Sequence, residues 1–149
     1  MERRIGCTVS HPGAPALRKC GMDSGVPPKP TLYYDGGCPV CAREIAMYRR
    51  QPGAGGVEWV DVAGCDAARL GPGLTREAAL ARLHLRLPDG RLLDGAAAFA
   101  GLWRLLPRWA WLGHLLGNGW RLRALEAAYR LFLRLRPAWR RRGASPPAA

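Results

Sequence analysis

Hydrophobic and polar positions in the first half of the chain follow strand-like and helix-like periods in turn. Residues 31–34 (Thr-Leu-Tyr-Tyr) are strand formers. A Gly-Gly turn separates them from the helix formers of 39–50. Residues 57–62 alternate again, as a half-buried strand does. A strand, a helix and a returning strand predict a βαβ unit with a parallel strand pair and a right-handed crossover.

The middle of the chain predicts a helical turn, a helix and two strands, over residues 66–70, 76–81, 82–87 and 91–93. Thr75 is a good N-cap for the helix. Leucine at every second position of 82–87 places the leucines on one face. Pro88-Asp89-Gly90 then turns the chain, so the two strands are expected to pair antiparallel.

The last third of the chain predicts three helices, over residues 95–106, 108–116 and 120–136. Asp94 is expected to cap the first, and Pro137 to end the last. A helical wheel of the last helix places Arg123, Glu126, Arg130 and Arg134 on one side, and Leu125, Ala128, Tyr129 and Phe132 on the other. The order up to residue 106, β-α-β-α-β-β-α, is that of a thioredoxin-like α/β fold.

The 149 residues suffice for one domain with a sizeable core. Four parts are expected: a flexible leader (1–30), a thioredoxin-like core (31–106), a helical extension packed on the core (107–136) and a basic, disordered tail (137–149). The leader contains Cys7 and Cys20, which we interpret as incidental thiols rather than as a second redox or metal pair. It also contains Met22, an alternative start of the chain.

The net charge of +12 is concentrated at the C-terminal end, where residues 101–149 contain ten arginines and one acidic residue. Charge alone supports solubility and non-specific binding, and no specific nucleic-acid function is expected. A basic helix accompanied by tryptophans can lie on an anionic membrane or dock on an acidic partner. More often such a helix packs on its own domain and exposes its arginines to water.

The cysteine count predicts a reducing compartment. Five cysteines, an odd number, do not form a secreted disulfide framework. The sequence also contains neither a secretory signal pattern nor an apolar stretch long enough to span a bilayer. A cytoplasmic location is the resulting prediction.

Candidate chemistry lies in Asp35-Gly36-Gly37-Cys38-Pro39-Val40-Cys41. Pro39 suits the first helical position, which places Cys38 at a helix N-terminus and Cys41 one turn later. The helix end stabilises an anion by about 0.3–1 kcal/mol, up to ~2, which lowers a thiol pKa by up to about 1.5 units. We therefore expect Cys38 to be the nucleophile and the most reactive thiol. Cys41, expected to be more recessed, would resolve the mixed disulfide.

Three alternatives remain at this site. The two cysteines are a redox dithiol, half of a metal site, or a chance pair. A structural zinc site needs two further ligands, and the other cysteines and histidines are isolated in sequence, so no metal or cofactor is expected. Asp35 either accepts the proton of Cys41 or forms a turn. Arg43 and Cys65 are more simply a solvated cation and a spare thiol.

The motif resembles the signature of the DCC family of thiol-disulfide oxidoreductase-like proteins, Asp-x-x-Cys-x-x-Cys after a Tyr-rich strand. The resemblance extends over about residues 31–136 and implies a thioredoxin-like fold and a redox activity. The chain departs from thioredoxin relatives in one respect. They usually place a cis-proline before the third strand, and residues 79–83 contain no proline. The substrate contact of that proline is therefore in doubt here.

The resulting expectation is an enzyme that exchanges disulfides with protein or small-molecule substrates through Cys38, Cys41 and Asp35. Two alternatives stay open. One is a non-catalytic module that docks on a membrane surface or an acidic partner through its basic helix. The other is a metal carrier that uses the same two thiols.

Overall fold

The structure is a computed structural model that describes residues 28–143, with side chains described to residue 137. The predictions about the first 27 residues, including Cys7, Cys20 and Met22, lie outside the described residues. The same holds for residues 144–149.

Within the described residues, a single mixed sheet contains four strands: Thr31–Tyr34 (β1), Glu58–Asp61 (β2), His84–Arg86 (β3) and Leu92–Asp94 (β4). Their spatial order is β2-β1-β3-β4. Strand β1 pairs parallel with β2, whereas β3 is antiparallel to both β1 and β4. The parallel pair and the hairpin confirm the two strand arrangements that the periodicity predicts.

Five α-helices are described: Pro39–Arg49 (α1), Arg76–Ala81 (α2), Gly95–Leu105 (α3), Ala110–Leu116 (α4) and Gly119–Gly143 (α5). Short 3-10 turns occupy Ala54–Gly56 and Ala67–Leu70. Thr75 caps α2 by accepting a hydrogen bond from the Ala78 N–H, as predicted. The element order β-α-β-α-β-β-α is confirmed, and the fold class is α/β.

The sheet separates two hydrophobic clusters because successive strand residues point to opposite faces. Leu32 and Leu85 contribute to the larger cluster, together with residues of α1 and α3. Tyr33 and Val60 contribute to the smaller one, which also includes Ala79 of α2. Leu83 and Leu85 belong to the larger cluster and Leu87 packs against it, so the predicted leucine face is confirmed.

Helix α3 begins differently from the prediction. Asp94 occupies its N-cap position but makes no side-chain capping hydrogen bond. The Ala96 N–H donates instead to the Glu126 carboxylate of α5, at 3.1 Å. Gly95 has a φ of 53°, and a Cβ there would collide with the side chains of Arg82 and Glu126. A tertiary contact thus replaces the local cap.

The prediction that Pro137 ends the last helix was wrong, because α5 continues through Pro137 to Gly143. Proline removes one backbone hydrogen bond from a helix interior. The preceding residue, Arg136, is fixed by hydrogen bonds to Asp35 and to the Leu80 and Ala81 carbonyl oxygens. Tertiary contacts of this kind routinely override local helix preferences.

Helix α5 packs on the core through part of the face predicted for it. Leu125 and Tyr129 contact the larger cluster, and Phe132 stacks on Tyr129 with ring centroids 6.2 Å apart. The helical-wheel prediction was wrong for two residues. Ala128 is exposed, and Glu126 turns inward to pair with Arg82 and Ala96.

Candidate dithiol site

The turn that leads into α1 is anchored by two carboxylates. One Asp61 oxygen accepts from the Gly36 N–H at 2.9 Å, and one Asp35 oxygen accepts from the Gly37 N–H at 2.9 Å. A Cβ on Gly36 would overlap the Asp61 carboxylate, so a larger residue here would displace that carboxylate. The Cys38 N–H donates to the Asp35 carbonyl oxygen at 3.3 Å. This network ties the start of α1 to the ends of β1 and β2.

Cys38 is the N-cap residue of α1, with Pro39 at the first helical position as predicted. Its side chain makes no capping hydrogen bond with the first-turn amides. Cys38 is 0% exposed, whereas Cys41 is half-buried. The expectation that Cys41 is the more recessed thiol was therefore wrong. The expectation considered only the position of each cysteine along the helix. In the structure, the turn before α1 is held against β1 and β2, and this buries the start of the helix together with Cys38.

Cys41 lies in the first turn of α1, three residues after the N-cap residue Cys38, and the two thiols affect each other electrostatically. Burial is the main cause that raises the pKa of the Cys41 thiol from 9.0 to about 12. The hydrogen bond with Cys38, the charge of Cys38 and the charge of Asp35 act in the same direction, while Arg136 lowers this pKa. At neutral pH Cys41 thus keeps its proton.

Asp35 is buried at the carboxyl end of β1, where it forms an ion pair with Arg136 of α5. The Gly37 N–H and the Arg136 guanidinium bind different carboxylate oxygens of Asp35. The first contact is the turn-forming role that the sequence suggests. The second joins residues 101 positions apart, and no local pattern in the sequence points to it.

Arg136 also binds the end of α2. Its guanidinium donates to the Leu80 carbonyl oxygen at 2.9 Å and to the Ala81 carbonyl oxygen at 3.2 Å. The last carbonyls of a helix lack partners within the helix, so a cation there is favourable. These carbonyls lie just before β3, in the proline-free segment noted above.

A small cavity of about 20 Å³ brings these groups together. Its walls include Asp35, Cys41, Glu44, Tyr129 and Arg136. The volume accommodates about one water molecule. The structure thus places the predicted Asp35 and Cys41 at one cavity and adds three charged residues that the sequence interpretation missed, Glu44, Arg82 and Arg136.

Glu44 is the acidic residue among these three. It lies three positions after Cys41 on α1, a spacing that brings side chains to one helix face and that offered a usable signal. Burial raises the pKa of its carboxyl, and the hydrogen bond that Tyr48 donates at 3.1 Å partly offsets this effect. The Tyr48 hydroxyl accepts in turn from the Trp103 indole N–H at 2.9 Å.

The remaining candidates, Arg43 and Cys65, do not line this cavity. Arg43 is exposed. Cys65 is half-buried and packs against the smaller cluster. Among residues 28–143, no three His, Cys, Asp or Glu side chains are grouped as ligands of a metal ion would be.

The sequence model of the DCC1-like thiol-disulfide oxidoreductase family matches residues 32–142. The chain belongs to this family. The matched range runs from β1 through the dithiol turn to the end of α5, and thus includes Asp35, Cys38, Cys41 and Arg136. The chain matches no curated protein and no solved structure in the same comparisons. Family membership confirms the resemblance and the thioredoxin-like class, and it indicates a redox role in general terms.

Proposed function

We propose that this family member is an enzyme that exchanges thiols and disulfides, with Cys38 as nucleophile and Cys41 as resolving thiol. The observation that carries the proposal is the placement of both thiols at the start of α1, with Cys38 at the N-cap position and Cys41 in the first turn. An anion at this position is stabilised by the helix end. A proton held on Cys41 adds a hydrogen bond to the Cys38 thiolate. No bound cofactor takes part in this scheme.

The exchange proceeds in two steps. The Cys38 thiolate attacks one sulfur of a substrate disulfide, a Cys38–substrate bond forms, and the other substrate sulfur leaves as a thiolate. Cys41 then loses its proton, and its sulfur attacks Cys38. The second substrate sulfur leaves as a thiolate, and a Cys38–Cys41 disulfide remains. The protein dithiol is oxidised by two electrons, and the substrate disulfide is reduced to two thiols.

The second step needs an acceptor for the Cys41 proton, and we propose Asp35, which shares the small cavity with Cys41. Once Cys38 is in the mixed disulfide, its negative charge is gone, and one cause of the raised pKa of Cys41 disappears with it. Glu44, at the same cavity, is the competing acceptor. A positioned base contributes about 100-fold or more to such a step.

Asp35→Asn and Glu44→Gln separate the two carboxylates. We expect Asp35→Asn to slow resolution strongly near pH 6 and mildly near pH 9, because Cys41 ionises more readily without help as the pH rises. Glu44→Gln should leave the rate nearly unchanged. Stopped-flow reaction with a model disulfide measures both variants. The opposite ranking would assign the proton transfer to Glu44, and a pH-independent defect would leave Asp35 with a turn-forming role.

Mixed-disulfide trapping tests the proposed function itself. Reduced protein is mixed with a small aromatic disulfide, and the adducts are located by peptide mass spectrometry. Cys41→Ser should accumulate an adduct on Cys38, while Cys38→Ser should not form a productive adduct. An adduct found only on Cys41 would reverse the roles of the thiols. No exchange in the wild-type protein, or metal that copurifies under reducing conditions, would favour the binding and carrier alternatives.

The outer face of α5 favours membrane docking as a second candidate function. Trp120, Leu131 and Leu135 are 73%, 58% and 50% exposed, and Arg123, Arg130 and Arg134 are exposed on the same helix. Apolar side chains beside arginines are typical of helices that bind anionic lipid surfaces. None of the helices within residues 28–143 has the length and apolar character to cross a bilayer.

Vesicle flotation tests this candidate. Binding to phosphatidylserine vesicles that weakens with salt and is lost in Leu131→Ser/Leu135→Ser would support it. Equal recovery with neutral vesicles, or none at all, would contradict it. We propose the cytoplasm as the compartment for either function, because the cysteine pattern fits a reducing environment.

A further inference from the structure

Arg136 is buried to an extent that is unusual for an arginine, since its side chain is only 8% exposed. It joins three segments: the turn after β1 through Asp35, the end of α2 through the Leu80 and Ala81 carbonyls, and α5, to which it belongs. Burying a guanidinium is costly unless charges and hydrogen bonds compensate. The contacts around Arg136 therefore indicate a specific requirement for positive charge at this point.

That positive charge lies beside the dithiol. Arg136 and Cys41 line the same small cavity. The Arg136 Nε atom is buried and has no hydrogen-bond partner among the described residues. Burial alone would lower the pKa of Arg136, but the charges of Cys41, Asp35 and Cys38 and the hydrogen bond to Asp35 raise it on balance. The guanidinium thus lies where negative charge on either sulfur, as well as on its carboxylate partner, is electrostatically favourable.

We propose that Arg136 is a positioning residue of the dithiol site, which fixes the Asp35 carboxylate at the cavity and supports the negative charge of the Cys41 sulfur. The proposal rests on the proposed function, and it makes α5 a part of the site. Its contribution falls in the second step. There, Cys41 passes from thiol to thiolate before its sulfur attacks Cys38 and displaces the substrate thiolate.

Alkylation of Cys41 in a Cys38→Ser background tests the proposal without any disulfide exchange. The rate of iodoacetamide labelling of the Cys41 peptide is measured across pH by mass spectrometry, with the Cys65 peptide as internal reference. Arg136→Gln should slow labelling of Cys41 about tenfold below its pKa, since one pKa unit is a tenfold change in thiolate population. Arg136→Lys should retain most of the rate.

Arg134→Gln is the matched control, because it removes the same charge from an exposed position of the same helix. It should label like the parent. Partial unfolding of Arg136→Gln would expose Cys41 and speed its labelling, which is the opposite of the predicted effect. If Arg136→Gln does not fold, the comparison is repeated in an Asp35→Asn background. The double variant Asp35→Asn/Arg136→Gln has no buried carboxylate that lacks its arginine partner, and it is compared with Asp35→Asn alone. The double variant should label more slowly.

Identical pH profiles for Cys41 in folded parent and Arg136→Gln, or in the second pair of variants, would overturn the proposal. The outcome is distinguishable from a failure of the proposed function. An inactive wild-type protein whose Cys41 profile still shifts with Arg136→Gln contradicts the exchange activity alone. An active wild-type protein with an unshifted profile contradicts the role of Arg136 alone.

Discussion

On its inner face, α5 presents three polar side chains to the core: Glu126, Tyr129 and Arg136. Glu126 binds Arg82 and the Ala96 N–H. Tyr129 accepts from the Leu83 N–H, and Arg136 binds the Asp35 carboxylate. On its outer face, the large apolar side chains of Trp120, Leu131 and Leu135 are each at least half exposed. A pattern of hydrophobic positions alone would not assign these faces in this way.

The difference shows what holds α5 in place. Apolar contacts from Leu125 and Tyr129 add buried area but little direction. The polar contacts each require one orientation and one register of the helix, because hydrogen bonds weaken steeply when they are misaligned. We infer that the polar contacts of the inner face determine the position of α5, and that they thereby place Arg136 beside the dithiol.

The largest effect should come from Arg136→Met, which leaves the Asp35 carboxylate buried without its ion-pair partner. Breaking a buried pair from one side costs about 3–5 kcal/mol. Urea unfolding should show a loss of this size in the free energy of unfolding. Arg134→Met, at an exposed position, should change it by about 0.5 kcal/mol or less. Equal losses in the two variants would contradict the distinction between the faces.

A smaller loss is expected for Glu126→Gln, about 1.5–3 kcal/mol at pH 7, because Glu126 accepts hydrogen bonds from a charged arginine. Burial would raise the pKa of Glu126, but the bonds from Ala96, Arg82 and Arg130 outweigh it, and the pKa is lowered. A lowered pKa gives stability that is present above the unfolded value and lost as the pH falls through the folded value.

The stability difference between Glu126→Gln and wild type should therefore shrink as the pH is lowered from about 4.5 through the lower folded pKa of Glu126. Thermal unfolding at a series of pH values measures it. A difference that is constant with pH would show that the charge of Glu126 does not contribute to the docking of α5.

The smallest effect should come from the outer face. Leu131→Ala removes an exposed side chain and should change the free energy of unfolding by about 0.5 kcal/mol or less. Leu125→Ala, one half-buried position on the core side, should cost about 1–2 kcal/mol through lost burial. Urea unfolding of the two variants gives the comparison. A larger loss for Leu131→Ala would show that the outer face is covered in solution.

The sequence predicts the local parts of this molecule well. The strands, the Thr75 cap, the hairpin and the placement of Cys38 at a helix N-terminus depend on neighbouring residues, and their periodicity and turn chemistry are visible in the chain. Glu44 falls in the same class, since it is three residues from Cys41. Its role at the cavity was detectable from spacing.

The rest depends on tertiary contacts that no local pattern encodes. Arg136 and Asp35 are 101 positions apart. Arg136 is one of ten arginines in residues 101–149, and its neighbours in sequence do not distinguish it from the other nine. The same reason explains the misplaced end of α5 at Pro137 and the inverted burial of Cys38 and Cys41. In each case the deciding contact comes from an element distant in sequence.

The central claim, that Cys38 and Cys41 form a reversible redox pair, is tested most directly by equilibration with glutathione. The protein is incubated at a series of ratios of reduced to oxidised glutathione, quenched with acid and an alkylating agent, and mapped by peptide mass spectrometry. We predict a disulfide that joins Cys38 to Cys41, forms without bound glutathione and disappears on return to reducing ratios. Stable glutathione adducts on either cysteine without that disulfide, or a disulfide that involves Cys65 instead, would contradict the account.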